Sequence, residues 1–442
     1  MRTLLSLNEI ERRDEQQRER GIAVAVVRKG TDRDIVNEYL DEIEQLCHTA
    51  GAEIVLRIVQ ERERLDPATF IGKGKVAELQ ELVSEYGVQF VIFDESLSPV
   101  QVRNLQQALE VKVLDRSMLI LDIFAKHART TEAKTQVELA QLQYLYPRLT
   151  RLWTHLSRQY GGIGTKGPGE TQIETDRRLI KERIAHLQRR LEDIEQQRHQ
   201  QRKERHRLIR FALVGYTNAG KSTLFNLITG AGVEAEDKLF ATLDTTVRRF
   251  TLPSGIEALI SDTVGFIRKL PAHLVASFHS TLAEAVESDI LVHVADASHP
   301  ALERHVRTVE ETLLTLGIAS KPTILVLNKI DRLTDRDAIV ALREHYPTAM
   351  LVSAETGYNV HSLLRRMEQL VLDSSVRIAA VLPYSAMKEL SYLYEHTVVE
   401  HREDTPEGIA IEVRAPRARE HAIRSMLATA TAQLVESTTP EE

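Results

Sequence analysis

The chain has 442 residues, 57 basic against 64 acidic side chains, and a net charge of −7. That length exceeds one ordinary hydrophobic core and points to about two to four domains. With 43% hydrophobic and 27% charged residues, the composition is that of a globular chain and excludes a collagen, a long disordered tract or a disulfide scaffold.

The single cysteine, Cys47, rules out an intrachain disulfide and points to a reducing compartment. Its apolar helical surroundings favour a buried structural thiol over a reactive one. No apolar run approaches the ~20 residues of a membrane span. Residues 1–20 are dense in Glu, Arg and Gln and contain no apolar signal core. A cytoplasmic protein without stable membrane insertion is expected, and a monomer.

In chain order, residues 23–27, 53–59, 89–93 and 111–114 read as short buried strands, with helices over 34–49, 75–86 and 99–109 between them. The alternation predicts a small parallel α/β domain over residues 1–115. From 116 to 209 the pattern changes to long helices. Leu142, Leu145, Leu149, Leu152 and Leu156 form one narrow apolar seam, and Ile180, Ile184, Leu187, Leu191 and Ile194 form another. Pro147 falls within the first and should bend it.

Between the seams lies Gly161-Gly162-Ile163-Gly164-Thr165-Lys166-Gly167-Pro168-Gly169-Glu170, too rich in glycine for a helix. A long antiparallel helical hairpin follows, with residues 161–170 as its tip loop and a second helix roughly 50 Å long. Residues 210–374 return to strand–helix alternation. Residues 375–442 read as a small α+β domain: a strand from 376, a helix over 385–395, strands over 397–400 and 408–413, and a helix over 417–435.

The 210–374 segment carries the sharpest chemistry. The buried-strand run 211–214 leads into Gly215-Tyr216-Thr217-Asn218-Ala219-Gly220-Lys221-Ser222, with a helical pattern after it. This is the phosphate-binding loop pattern: glycines let backbone N–H groups wrap the phosphates, Lys221 supplies a point charge and the Ser222 hydroxyl is a ligand for Mg2+. Asp262-Thr263-Val264-Gly265 ends a second strand; Asp262 can hold magnesium through water and the Gly265 N–H can meet a γ-phosphate. Asn328-Lys329-Ile330-Asp331 ends a third. A carboxylate at Asp331 accepts the N1 and N2 hydrogens of guanine, which adenine does not offer there, so the tetrapeptide selects GTP and GDP. Ser353-Ala354-Glu355 fits the loop whose backbone touches guanine O6. Four such motifs in order, each at a strand end, predict a P-loop GTPase domain.

Between the first two motifs, Thr242, Thr245 and Thr246 compete for the switch threonine that GTPases place on magnesium. After Gly265 stands Phe266, where many GTPases carry a glutamine that orients the attacking water. Phe266 cannot hydrogen-bond water, so slow intrinsic hydrolysis, stimulated by a large partner, is expected. No general base can be named.

These residues resemble the HflX family of ribosome-associated GTPases over nearly the whole chain. The resemblance rests on Phe70-Ile71-Gly72-Lys73-Gly74-Lys75, on the Thr131–Ala140 segment Thr-Glu-Ala-Lys-Thr-Gln-Val-Glu-Leu-Ala, on the 161–170 loop with the Thr-Gln-Ile-Glu-Thr-Asp-Arg-Arg that follows it, and on all the GTPase motifs. Phe240-Ala241-Thr242-Leu243-Asp244 is similar to the family's first switch, which implies Thr242 as the second magnesium ligand. The family usually has proline where Thr245 stands. The resemblance implies binding to the large ribosomal subunit, its rRNA and proteins, near its catalytic centre, and GTP-dependent splitting of stalled or idle ribosomes, especially under stress.

The net charge conceals a partition. Residues 116–210 hold 20 basic and 11 acidic side chains, +9, leaving 37 and 53 elsewhere, −16. A solvated coiled coil with internal ion pairs would show the same helix charge. The glycine-rich tip favours RNA contact instead, through Gly161, Gly162, Gly164, Lys166 and Arg177. Gly72-Lys73-Gly74-Lys75 is either a further basic contact or a strand-to-helix turn. The other functions compatible with the motifs are a ribosome-assembly GTPase acting on immature large subunits and a regulatory GTP-binding module acting on a protein or membrane partner. The first domain, as a parallel sheet, could also hold a second nucleotide at its strand ends.

Overall fold

The computed structural model describes residues 18–27, 29–152, 168–203, 208–232, 239–240, 242–269, 279–373, 375–416, 420–430 and 433–435. The chain divides into two units: residues 1–194 with 237–243 and 269–279, and residues 195–236 with 244–268 and 280–442.

The first unit is built on four parallel strands in the order β2 (Ala52–Glu61), β1 (Glu19–Val27), β3 (Phe90–Phe93), β4 (Lys112–Asp115). Ile22, Val24, Phe90, Val91 and Phe93 are fully buried, as expected of a sheet covered on both faces. Helix α1 (Arg33–Ala50) starts where the Asp32 side chain accepts the Asp34 N–H and stops at Gly51, whose φ of 85° suits glycine. Its buried stripe, Val36, Leu40, Ile43, Leu46 and Cys47, has helical spacing. Cys47 is fully buried; burial, then the charge of Glu44, pushes its thiol up to about 12, so the thiol is structural.

Helix α2 (Lys73–Tyr86) begins within Gly72-Lys73-Gly74-Lys75, and the Gly72 N–H donates to Gln60 Oε1 at 3.0 Å. Helix α3 (Pro99–Leu109) is opened by a reciprocal Ser98–Gln101 capping box. Helix α4 (Arg116–His127), capped by Asp115, buries Leu119, Ile120, Ile123 and Phe124.

Helix α5 (Thr131–Leu152) continues through Pro147, and α6 (Pro168–Lys203) follows. Pro168, Gly169 and Glu170, expected in the tip loop, are helical instead: proline is pre-set for the first helical turn and needs no N–H there. Arg183 Nε and NH2 donate to the two Glu138 carboxylate oxygens at 2.7 and 3.0 Å, which joins α6 to α5 as an antiparallel pair. Leu187 is fully buried, whereas Leu145 is 41% exposed, so the expected seam is not continuous. The guanidinium of Arg148 anchors α5 at the sheet's carboxyl edge, donating to the Leu97 carbonyl at 2.9 Å and to Asp115 at 3.3 Å.

The second unit holds a six-stranded sheet in the order β10 (Met350–Leu351), β9 (Thr323–Asn328), β8 (Ile290–Asp296), β5 (Ile209–Gly215), β7 (Glu257–Asp262), β6 (Thr246–Thr251). Only β6 runs antiparallel, pairing Val247 with Ser261; the other neighbours are parallel. Helices α7 (Lys221–Thr229), α8 (His279–Glu287), α9 (Leu302–Thr315), α10 (Arg336–His345) and α11 (Val360–Asp373) complete this part. Phe211, Leu213, Phe225, Ile260, Val292, Val326, Leu363 and Met367 form one core.

The same unit ends in an antiparallel sheet ordered β12 (Val398–Thr405), β13 (Gly408–Pro416), β11 (Ser375–Leu382), β14 (Gln433–Val435), with helices α12 (Met387–His396) and α13 (Glu420–Thr429). Two expectations are corrected here. The final helix stops at Thr429 rather than 435, because Gln433–Val435 pairs with the free edge of β11 and fills its backbone hydrogen bonds. The strand expected over 397–400 extends to Thr405: its polar end pairs with β13 across a two-residue turn. No helix among the described residues is long and apolar enough to cross a membrane.

Candidate nucleotide site

The loop between β5 and α7 is shaped by close approaches that only glycine permits. A Cβ on Gly220, whose φ is 89°, would lie 2.3 Å from Asn328 Nδ2. One on Gly265 would lie 2.7 Å from Thr217 Cα and 3.0 Å from Lys221 Nζ. Asn218 takes a left-handed φ of 60°, a conformation asparagine tolerates. Ala219 and Thr217 are buried beside it.

Lys221 opens α7 and is buried. Its ammonium donates to the carbonyls of Gly215 at 3.1 Å and Tyr216 at 2.8 Å. Burial lowers its pKa to about 8; the Asp262 carboxylate works against this and Lys329 adds to it. The ammonium therefore rests on neutral oxygens that phosphate oxygens can replace. Ser222 Oγ donates to Asp262 Oδ2 at 2.6 Å, where Asp262 is fully buried at the end of β7. A hydroxyl and a carboxylate side by side form a hard-oxygen donor set of the kind that suits a small divalent cation. Thr217 Oγ1 is buried without a hydrogen-bond partner among the described residues, which leaves one acceptor–donor for a ligand.

Asp262, Thr263, Val264 and Gly265 run against this loop. Thr263 Oγ1 donates to the Leu213 carbonyl at 2.6 Å, and Val264 is buried. Phe266 is 3% exposed, and its backbone bridges to Tyr216.

The third motif is joined to the first by one side chain. Asn328 Nδ2 donates to the Ala219 carbonyl at 2.9 Å, and Asn328 Oδ1 accepts the Ala354 N–H at 2.9 Å. Asn328 thus holds the phosphate loop and the Ser353–Ala354–Glu355 loop at fixed spacing. Ser353 is buried and accepts the Thr356 N–H, whereas Glu355 is exposed. Lys329 takes a left-handed φ of 63°, and its ammonium pairs with Asp296 Oδ2 at 2.8 Å. Burial raises the Asp296 carboxyl, but hydrogen bonds from Lys329 and Ser298 outweigh it and hold the group below its usual value. Ile330 and Asp331 lie in a short 3-10 turn, and Asp331 is exposed.

Phe240, Thr242 and Leu243 group with the first unit, where the Phe240 ring meets Phe124 edge-on at 4.7 Å. Thr242 and Asp244 are half-buried, the latter in the second unit. Ala241, Gly161, Gly162, Gly164 and Lys166 lie outside the described residues. Arg177 has its guanidinium 5.5 Å from the Tyr146 ring centroid, within reach of a cation–π contact.

Three residues of the site have no motif. Asp296 was detectable as an acid closing a buried strand. His299 and His305 carried no signal: they enter through the packing of α9 against Tyr216.

The chain resembles known proteins over all these segments. Residues 37–125 match the family described as GTP-binding GTPase N-terminal, 127–205 GTP-binding GTPase Middle Region, 210–329 50S ribosome-binding GTPase, and 338–433 HflX C-terminal domain. The GTPase HflX of Lacrimispora saccharolytica is 44% identical over 419 residues, covering 94% of this chain and 96% of that protein. The GTPase HflX of Escherichia coli is 44% identical over 389 residues, covering 87% and 91%. Among solved structures, a GTP-binding protein from Sulfolobus solfataricus in complex with GDP is 26% identical, covers 79% of this chain and 98% of its own, and has a TM-score of 0.40.

Proposed function

We propose that this chain, which belongs to the HflX family of GTPases, binds the large ribosomal subunit and uses GTP to separate the subunits of stalled or idle ribosomes. The chain is a GTP hydrolase. The ribosomal part of the reading is carried by one observation: a guanine-nucleotide site and a helical pair within a segment of charge +9 occur in one chain whose remainder carries −16. Basic charge at that density neutralises phosphates of a nucleic-acid backbone. The matched family's description, a 50S ribosome-binding GTPase, agrees with it.

In this reading the backbone N–H groups of Gly215–Ser222 and the Lys221 ammonium hold the β and γ phosphates. Ser222 and Thr242 hold Mg2+, with Asp262 behind them, and the ion supplies charge neutralisation at the phosphates. Asp331 reads guanine N1 and N2, Asn328 fixes the spacing of the loops, and the Ala354 region meets O6. Phe266 offers the attacking water no hydrogen bond, so hydrolysis is slow in the free protein and rises on the ribosome. Lys166, with Gly161, Gly162, Gly164 and Arg177, contacts rRNA.

Density-gradient profiles test this. With GTP, the protein should convert intact ribosomes to free subunits; GDP should not support the conversion. Binding confined to immature large subunits would replace splitting by a role in assembly, and absence of co-sedimentation in every nucleotide state would overturn the ribosomal reading. Lys166→Glu should weaken ribosome binding about tenfold in moderate salt and leave GTP affinity unchanged. Full retention of binding would remove Lys166 from the interface.

A further inference from the structure

Tyr216 lies inside the phosphate-loop sequence, and its side chain is buried among groups of the fold itself. The ring is buried and stacks on the imidazole of His305, 3.8 Å between centroids and 6° between planes. Its phenol oxygen accepts the backbone N–H of Arg268 at 3.0 Å. Two further bonds fasten the same segment: the Thr217 N–H donates to the Phe266 carbonyl at 2.8 Å, and the Phe266 N–H donates to the Gly215 carbonyl at 3.0 Å. Those two are backbone bonds that any sequence could make. The third exists only because residue 216 carries a phenol of the right length.

The partner of that ring is also held. His305 stands on α9, and its ring lies 4.4 Å from the ring of His299. His299 Nδ1 accepts the Ala301 N–H at 3.0 Å, which fixes the second imidazole at the start of α9. Burial, then the neighbouring His299, lowers the His305 pKa to about 3, so a neutral imidazole faces the phenol throughout the physiological range. The stack is aromatic on aromatic, with a geometry set by packing.

We propose that Tyr216, braced by His305, is a positioning residue for GTP hydrolysis: its phenol oxygen holds Arg268 and so sets where the Gly265–Arg268 backbone lies against the phosphate loop. Gly265 packs closely on the phosphate loop: a Cβ there would lie 2.7 Å from Thr217 Cα. A displacement of a few tenths of an ångström at Arg268 is therefore passed to Gly265 and Phe266, next to the position of the transferred phosphate. Where no glutamine orients water, placement of this backbone carries more of the catalytic effect. The inference rests on the GTPase activity alone and is independent of the ribosomal reading.

Tyr216→Phe keeps the ring and removes only the oxygen. In steady-state assays on the full chain without ribosomes, with rates normalised to titrated GDP-binding sites, kcat should fall about fivefold, with KM for GTP and GDP affinity within about twofold. His305→Phe should retain kcat by preserving the stack, and His305→Ala should match Tyr216→Phe. The Tyr216→Phe/His305→Ala double variant should fall little further than either single one, since both act through one bond. A wild-type kcat in Tyr216→Phe would overturn the proposal. So would a rise in KM at unchanged kcat, which would make Tyr216 a binding residue, or multiplicative losses in the double variant.

Discussion

The two parallel sheets of this chain end alike and are used differently. In the first unit, β3 is followed by Asp94 and β4 ends in Asp115; in the second, β7 ends in Asp262 and β8 in Asp296. Open parallel sheets bind ligands at such carboxyl edges. In the first sheet the edge is filled from within. Arg116, fully buried, donates to Asp94 at 3.0 Å and Glu42 at 2.7 Å, Arg148 reaches Asp115, and Lys269 pairs with Asp94 at 3.1 Å. In the second sheet the cation is Lys221, held by two carbonyl oxygens. A guanidinium locked between carboxylates is a closed structure, whereas an ammonium on neutral acceptors is ready to be taken over by phosphate. The acidic first edge, its cations already paired, is poorly suited to the second nucleotide that a parallel sheet alone would suggest.

The largest effect that would break this contrast concerns Arg116. Arg116→Ala removes the buried guanidinium that Asp94 and Glu42 share and should destabilise the first unit by about 3–5 kcal/mol in chemical denaturation, with GDP affinity retained in the folded fraction. A loss of GDP affinity in folded protein would mean that the first edge serves the nucleotide after all. Asp331→Asn acts in the opposite sense: GTP affinity should fall about 100-fold, close to 3 kcal/mol, with little change in stability. Isothermal titration with GTP and with xanthosine triphosphate, whose C2 oxygen suits an amide donor, would check it; unchanged GTP binding would remove Asp331 from base recognition.

The smallest effect is one of pH. Lys221 has a pKa near 8 in the free protein, so it is already charged below that pH and affinity should be flat there. Above pH 8 binding must take up a proton, because phosphate favours the ammonium. Affinity for GDP should then decline by up to about tenfold per pH unit. Titration in buffers of different ionisation enthalpy should show that uptake. A pH dependence seated in the first unit would contradict the comparison.

The proposed nucleotide site could be read from the sequence because its motifs are local. Eight consecutive residues carry the phosphate-loop pattern, and Asn328 to Asp331 the expected base-reading one. What was not legible depends on pairs far apart in the chain. Nothing around His305 announces that it stacks on Tyr216, and nothing around Arg116 announces that it meets Glu42. Polar residues His401 to Thr405 read as a loop, since strand propensity is outweighed there by pairing with β13. Gln433–Val435 continued a helical pattern but was captured by the open edge of β11.

Sequence by itself determined the chemistry: guanine nucleotide, phosphate loop, and the order of α/β, helical, α/β and α+β segments, because each is written in short spacings or in the periodicity of a single element. Tertiary structure alone decided which charges are sealed and which are available, which edge strand is completed, and which aromatic ring holds the segment after Gly265. Those outcomes turn on burial and on hydrogen bonds between residues that only the packed chain brings together.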